Sequence, residues 1–92
     1  MTPTLTPPAP AADADLIPLL RSQIDAIDAG IVRLVAERSR LSERVQAARV
    51  AAGGVRVELG RERVVLETYR SALGEAGIAI GNAILRLCRG LR

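Results

Sequence analysis

The sequence predicts an all-α fold: three helices per chain, one long and two short, in an intertwined homodimeric helical bundle. Three observations predict it. Apolar residues recur at Leu20, Ile24, Ile27, Ile31 and Leu34, then at Leu41, Val45 and Ala48, in the steps of four and three that mark one face of a helix. That helix, roughly 36 residues at about 1.5 Å each, is over 50 Å long, whereas a compact chain of this size is only about 30 Å across. Two shorter helices cannot cover it, and an antiparallel twin of the same chain is the simplest supply of the missing surface. Finally, 49% of the residues are apolar but Tyr69 is the only aromatic, so the core must be built of Leu, Ile, Val and Ala, which suits helix-on-helix packing.

The elements follow in order. Residues 1–14 (MTPTLTPPAPAADA) are rich in Pro, Thr and Ala and are expected to form a disordered tail, leaving 15–92 as the helical domain. Asp15 is an expected N-cap, with Pro18 in the first turn, where its missing N–H does no harm. Nothing breaks the helical period from Leu16 to about Ala52. Gly30 costs about 1 kcal/mol against Ala and suggests a close helix crossing. Gly53-Gly54 ends the helix with residues free to turn left-handed. After a short irregular link from Val55 to Leu59, a second helix is expected from about Leu59 to Leu73, with Val65, Leu66, Tyr69 and Leu73 on one face. Gly74 and Gly77 punctuate the next turn. A third helix carries Ile80, Ile84, Leu87 and Leu91.

Composition removes several functional classes. There is no His, which excludes imidazole catalysis and the commonest metal ligand, so neither a metal site nor a cofactor is expected. The single Cys88 has apolar flanks and reads as a reduced, packed thiol. No stretch approaches the roughly 20 apolar residues of a membrane span, and the N-terminus lacks the pattern of a signal peptide, so a cytoplasmic location without a membrane partner is expected. The net charge is only +3, and its arginines alternate with acids such as Asp25, Asp28, Glu37, Glu43 and Glu67, which argues against a nucleic-acid partner.

Charge is informative where it meets the apolar faces. Arg38 fills the slot between Leu34 and Leu41 where the rhythm calls for an apolar residue. A guanidinium keeps its proton, and burying it unpaired costs several kcal/mol, so an anion is expected to meet it inside the assembly. Arg21 and Arg49 stand immediately after Leu20 and Ala48, near opposite ends of the long helix. Arg61 and Glu62 open the second helix, with Glu62 on the face of Val65, Leu66 and Tyr69. Four arginines and one glutamate form an anion pocket with one acceptor, suited to a small dicarboxylate that carries a hydroxyl. Taken singly, each has another reading. Arg38 could pair with Glu37 or Glu43 of a neighbouring helix, Arg21 and Arg49 could reach out into water, and Arg61-Glu62 could be a charge pair at a helix start.

As a set, these residues resemble the all-helical chorismate mutases. The stretch LLRSQIDAIDAGIVRLVAERSRLSERVQAAR looks like that family's first helix and GRERVVLE like the start of its second; the resemblance covers about residues 16–91. GGVRVELGRER and LGEAGIAIGNAILRLCRG look most like the small stand-alone subgroup that works with DAHP synthase. The resemblance implies rearrangement of chorismate to prephenate in Phe and Tyr biosynthesis, without covalent catalysis, at two sites per homodimer, each built from both chains. It implies that Arg38 and the other protomer's Arg21 hold the carboxylates, with Arg61 as a further cationic contact. Arg49 would reach the ether oxygen, and Glu62, assisted by the backbone near Glu58, would accept from the ring hydroxyl. Longer members place a Gln or Glu of the third helix beside that oxygen; here the helix offers only Asn82, Arg86, Cys88 and Arg89. The subgroup also implies a DAHP synthase complex, with Gly90-Leu91-Arg92 as a docking tail, for which simple fraying is the other reading. Two related activities share the arginine clamp: a 4-amino-4-deoxychorismate mutase of an antibiotic pathway, and isochorismate pyruvate lyase. A helical dimerisation module without catalysis is the reading from another class, though it gives Arg38 no reason to lie in the seam.

Overall fold

The structure is a computed structural model, and it describes residues 9–54 and 58–89, with side chains from Ala14 onward. Three helices follow one another in these residues: α1 (Ala9–Ala51), α2 (Leu59–Leu73) and α3 (Glu75–Cys88). No strand occurs among the described residues, and no helix there is long and apolar enough to cross a membrane. The proposed docking tail Gly90-Leu91-Arg92 lies outside the described residues, as do residues 1–8 and most of the link, 55–57. The chain divides into two compact units, Met1–Arg33 and Leu34–Arg92.

In the first unit, α1 starts at Ala9, six residues before the expected cap at Asp15. Ala9, Ala11, Ala12 and Ala14 explain the extension, since alanine is the best helix former and Pro10 falls in the first turn. Pro18 is consequently inside the helix rather than in its first turn. Its ring removes one i→i−4 hydrogen bond there. The apolar row is present but uncovered within the single chain: Ile24, Ile27 and Ile31 are 55%, 61% and 52% exposed.

In the second unit, α2 and α3 pack against each other. Gly74 links them with a positive φ of 75°, and its N–H donates to the Arg70 carbonyl at 2.8 Å. Gly77 does not punctuate this turn, as its type had suggested. It lies inside α3, buried against α2, and a Cβ there would stand 2.2 Å from the Tyr69 carbonyl oxygen. Gly81, one turn on, would place a Cβ 3.0 Å from Leu66 Cδ2. The two glycines let the helix backbones approach closely. They also select which face of α3 is buried within the chain, Gly77, Gly81, Leu85 and Cys88, and leave Ile80 and Leu87 of the apolar row exposed. From α2, Val65 enters this core as expected, while Leu73 stays exposed.

Ser42 of α1 donates to the Cys88 carbonyl at 3.4 Å, tying the end of α3 to the second half of α1. On the outer face of α2, Glu67 accepts from Arg70 and from Ser71 at 2.8 Å. The hydrogen bond from Arg70 is the main cause that holds the Glu67 carboxyl at about 2, below its ordinary 4.5, with Ser71 adding to it.

Candidate active site

From Arg38 to Arg49, α1 completes about three turns, so the two arginines return to nearly the same face. Leu41, Ser42, Val45 and Gln46 lie between them, and all six line one cavity of about 310 Å³. The opposite wall is the start of α2, with Glu58, Arg61, Glu62 and Val65, and the end of α3, with Leu85, Cys88 and Arg89. The volume lies at the lower end of the roughly 300–1,000 Å³ of small-molecule clefts, which suits a compact organic acid.

Arg49 is held by the way α1 ends. Gly53 takes a φ of 81°, its N–H donates to the Val50 carbonyl at 3.0 Å, and the Gly54 N–H donates to the Arg49 carbonyl at 2.8 Å. This pair of bonds is a Schellman stop. A Cβ on Gly54 would come 2.7 Å from Arg49 Cγ, so the bare glycine makes room for the stem of the arginine.

α2 begins at the cavity. Glu58 caps it in an extended conformation (φ −123°, ψ 99°), and its carbonyl accepts from the Glu62 N–H at 3.1 Å. The first-turn N–H groups before Glu62 have no partner within the helix, and with the helix dipole they make this end attractive to anions. Glu62 is itself ion-paired with Arg89 across the cavity wall. It is therefore not confined to a local pair with Arg61.

Four arginines against two glutamates leave two positive charges in excess around the cavity. Within the described residues no carboxylate lies at ion-pair distance from Arg38, so neither Glu37 nor Glu43 of this chain neutralises it. A small dianion matches that excess, and Arg forks can bind carboxylates bidentately.

Of the residues expected from sequence, Arg38, Arg49, Glu58, Arg61 and Glu62 come together in this cavity. Arg21 does not line it; it lies exposed in the Met1–Arg33 unit. Three contributors went unassigned. Arg89 was one of several polar residues on α3, with no periodicity to join it to Glu62, 27 residues earlier. Ser42 and Gln46 look like ordinary helix-surface residues; their signal is the helical spacing that puts them between Arg38 and Arg49. Gln46 Oε1 is buried and has no hydrogen-bond partner among the described residues.

An all-helical protein with an arginine-lined anion cavity is the class that fold and site define. Residues 20–90 match the family model of chorismate mutase type II. The chain is 41% identical over 71 residues to an intracellular chorismate mutase of Mycolicibacterium smegmatis, covering 77% of this chain and 68% of the relative. It is 43% identical over 74 residues to the intracellular chorismate mutase of Mycobacterium tuberculosis H37Rv, covering 80% and 70%. Among solved structures it resembles a chain of the non-covalent complex of DAHP synthase and chorismate mutase from Corynebacterium glutamicum with a bound transition-state analogue. There the TM-score is 0.80 and the identity 30%, over 89% of this chain and 98% of that one. The chain belongs to the type II chorismate mutase family and is accordingly an isomerase of that kind.

Proposed function

We propose that this cavity is where chorismate rearranges to prephenate. The observation that carries the reading is the convergence of Arg38, Arg49, Glu58, Arg61 and Glu62 on one cavity with two positive charges in excess. The reaction is a [3,3] rearrangement: a C–O bond breaks as a C–C bond forms, with no nucleophile, proton transfer or cofactor. The protein's task is to hold the enolpyruvyl arm over the ring, which offsets the entropy of reaching the reactive geometry. Arg38 holds one carboxylate and Arg21 of the other protomer the second, with Arg61 as a further cationic contact. Arg49, directed by Gly54 and the helix stop, meets the negative charge that develops on the ether oxygen. Glu62 accepts from the ring hydroxyl with the oxygen that Arg89 leaves free, beside the backbone near Glu58.

A homodimer is part of the reading. The uncovered apolar row on α1 supports it, because exposed seams of this kind mark association surfaces. DAHP synthase as a partner is supported by the solved complex that the chain resembles. A cytoplasmic location is supported by relatives named as intracellular enzymes.

The test follows the loss of chorismate absorbance with purified protein, with and without DAHP synthase. Turnover is expected, and Arg38→Ala should reduce it at least about a hundredfold while the protein stays dimeric. Unchanged turnover in that variant would remove the cavity from consideration. Turnover of 4-amino-4-deoxychorismate in place of chorismate would move the reading to the amino substrate.

A further inference from the structure

Gln46 is the one cavity-lining side chain whose amide oxygen is buried with no hydrogen-bond partner among the described residues. A buried, unpaired amide atom costs about 1–3 kcal/mol, so its persistence in a cavity wall needs a reason. The neighbouring hydroxyl of Ser42 offers none, being committed to the Cys88 carbonyl. Gln46 lies one helical turn before Arg49 and about two turns after Arg38, between the proposed carboxylate and ether-oxygen contacts.

We propose that Gln46 is a substrate-contacting residue, whose amide N–H donates to an oxygen of the bound dianion beside Arg49. This rests on the reading of the cavity given above. The chemistry follows by exclusion. The substrate has one hydroxyl to donate, and Glu62 takes it. Its two carboxylates and ether oxygen only accept, so the amide group that fits them is the NH₂. Amide oxygen and nitrogen exchange by rotation of the terminal torsion, a low-cost motion that lets bound substrate turn the amide round. A neutral donor adds a hydrogen bond without adding to a wall that already holds four arginines.

Two variants test it, each assayed with the dimer intact and its melting temperature recorded. Gln46→Met keeps length and helix propensity but removes the amide and its unpaired buried oxygen, and kcat/KM should fall about tenfold while the melting temperature holds or rises. Gln46→Glu should be worse than Gln46→Met at neutral pH, because a carboxylate faces the dianion. It should recover as pH falls and the new carboxyl gains a proton to donate, giving a pH profile that wild type lacks. Wild-type activity in Gln46→Met, or a Gln46→Glu profile parallel to wild type, would overturn the assignment. Arg38→Ala in the same series separates the two levels. If it retains turnover, the cavity reading itself fails. If it is inactive and Gln46→Met is not impaired, only the role of Gln46 fails.

Discussion

Arg89, the C-cap residue of α3, forms an ion pair with Glu62 in the first turn of α2, joining two helix ends at the cavity wall. A carboxylate has lone pairs to spare on its second oxygen, so the pair orients Glu62 without exhausting it.

If Arg89 acts through Glu62, removing either residue removes the same thing. Arg89→Ala should lower kcat/KM about tenfold, and Glu62→Gln by more. The double variant should be no worse than Glu62→Gln alone, since residues that share one contact are not additive. Full additivity in kcat/KM would show that Arg89 has a separate task.

Adjacent glycines at the end of α1 should behave in opposite ways. Gly53→Ala places a side chain at φ 81° and should destabilise the fold by about 1–2 kcal/mol, with little change in kcat. Gly54→Ala crowds Arg49 Cγ and should lower kcat while melting temperature changes less. Arg49→Ala sets the lower limit: a loss of one preorganised donor of about 3–4 kcal/mol, expressed in kcat rather than KM.

Apart from Arg89, the charged wall of the candidate site was legible in the sequence, and the packing beneath it was not. Arg38 stood out because a charge broke an apolar rhythm, and Glu62 because it shared a face with Val65 and Tyr69. Both signals are side-chain patterns. Gly77 and Gly81 carry no side chain, so only Leu85 and Cys88 mark the face of α3 that is buried in the chain, and the larger Ile80 and Leu87 mark another. The start of α1 was misplaced because proline suggested a tail, while the alanines between the prolines favour helix. Arg89 and Glu62 meet through the turn of the chain, which no local period encodes.

Gly77→Ala should be the most damaging small substitution in the core. Its Cβ would meet backbone, the Tyr69 carbonyl, so the helices must separate, at a cost of about 3 kcal/mol. Gly81→Ala meets the end of the flexible Leu66 side chain and should cost about 1 kcal/mol. Equal melting temperatures for the two would mean that α2 and α3 are not locked at Gly77.

The Glu67 carboxyl, with its titration at about 2 rather than 4.5, is favoured in its ionised form by the folded state. Its contribution to stability is therefore present above about pH 4.5 and is lost as pH falls towards 2. Side-chain carboxyl chemical shifts should show a midpoint near pH 2 for Glu67, rising towards 4.5 in Arg70→Ala. An unmoved midpoint would assign the shift to Ser71 instead.

The stop of α1 has a consequence for how the protein can change. Its two closing hydrogen bonds run entirely between residues 49 and 54, so the position of Arg49 is decided before the chain reaches the link to α2. Natural drift or deliberate engineering can rewrite the stretch that follows, or add residues to it, and leave Arg49, the proposed donor to the ether oxygen, where it stands. The same insertion a few residues earlier, inside the closed turn, would break those two bonds and move Gly54 away from the stem of Arg49.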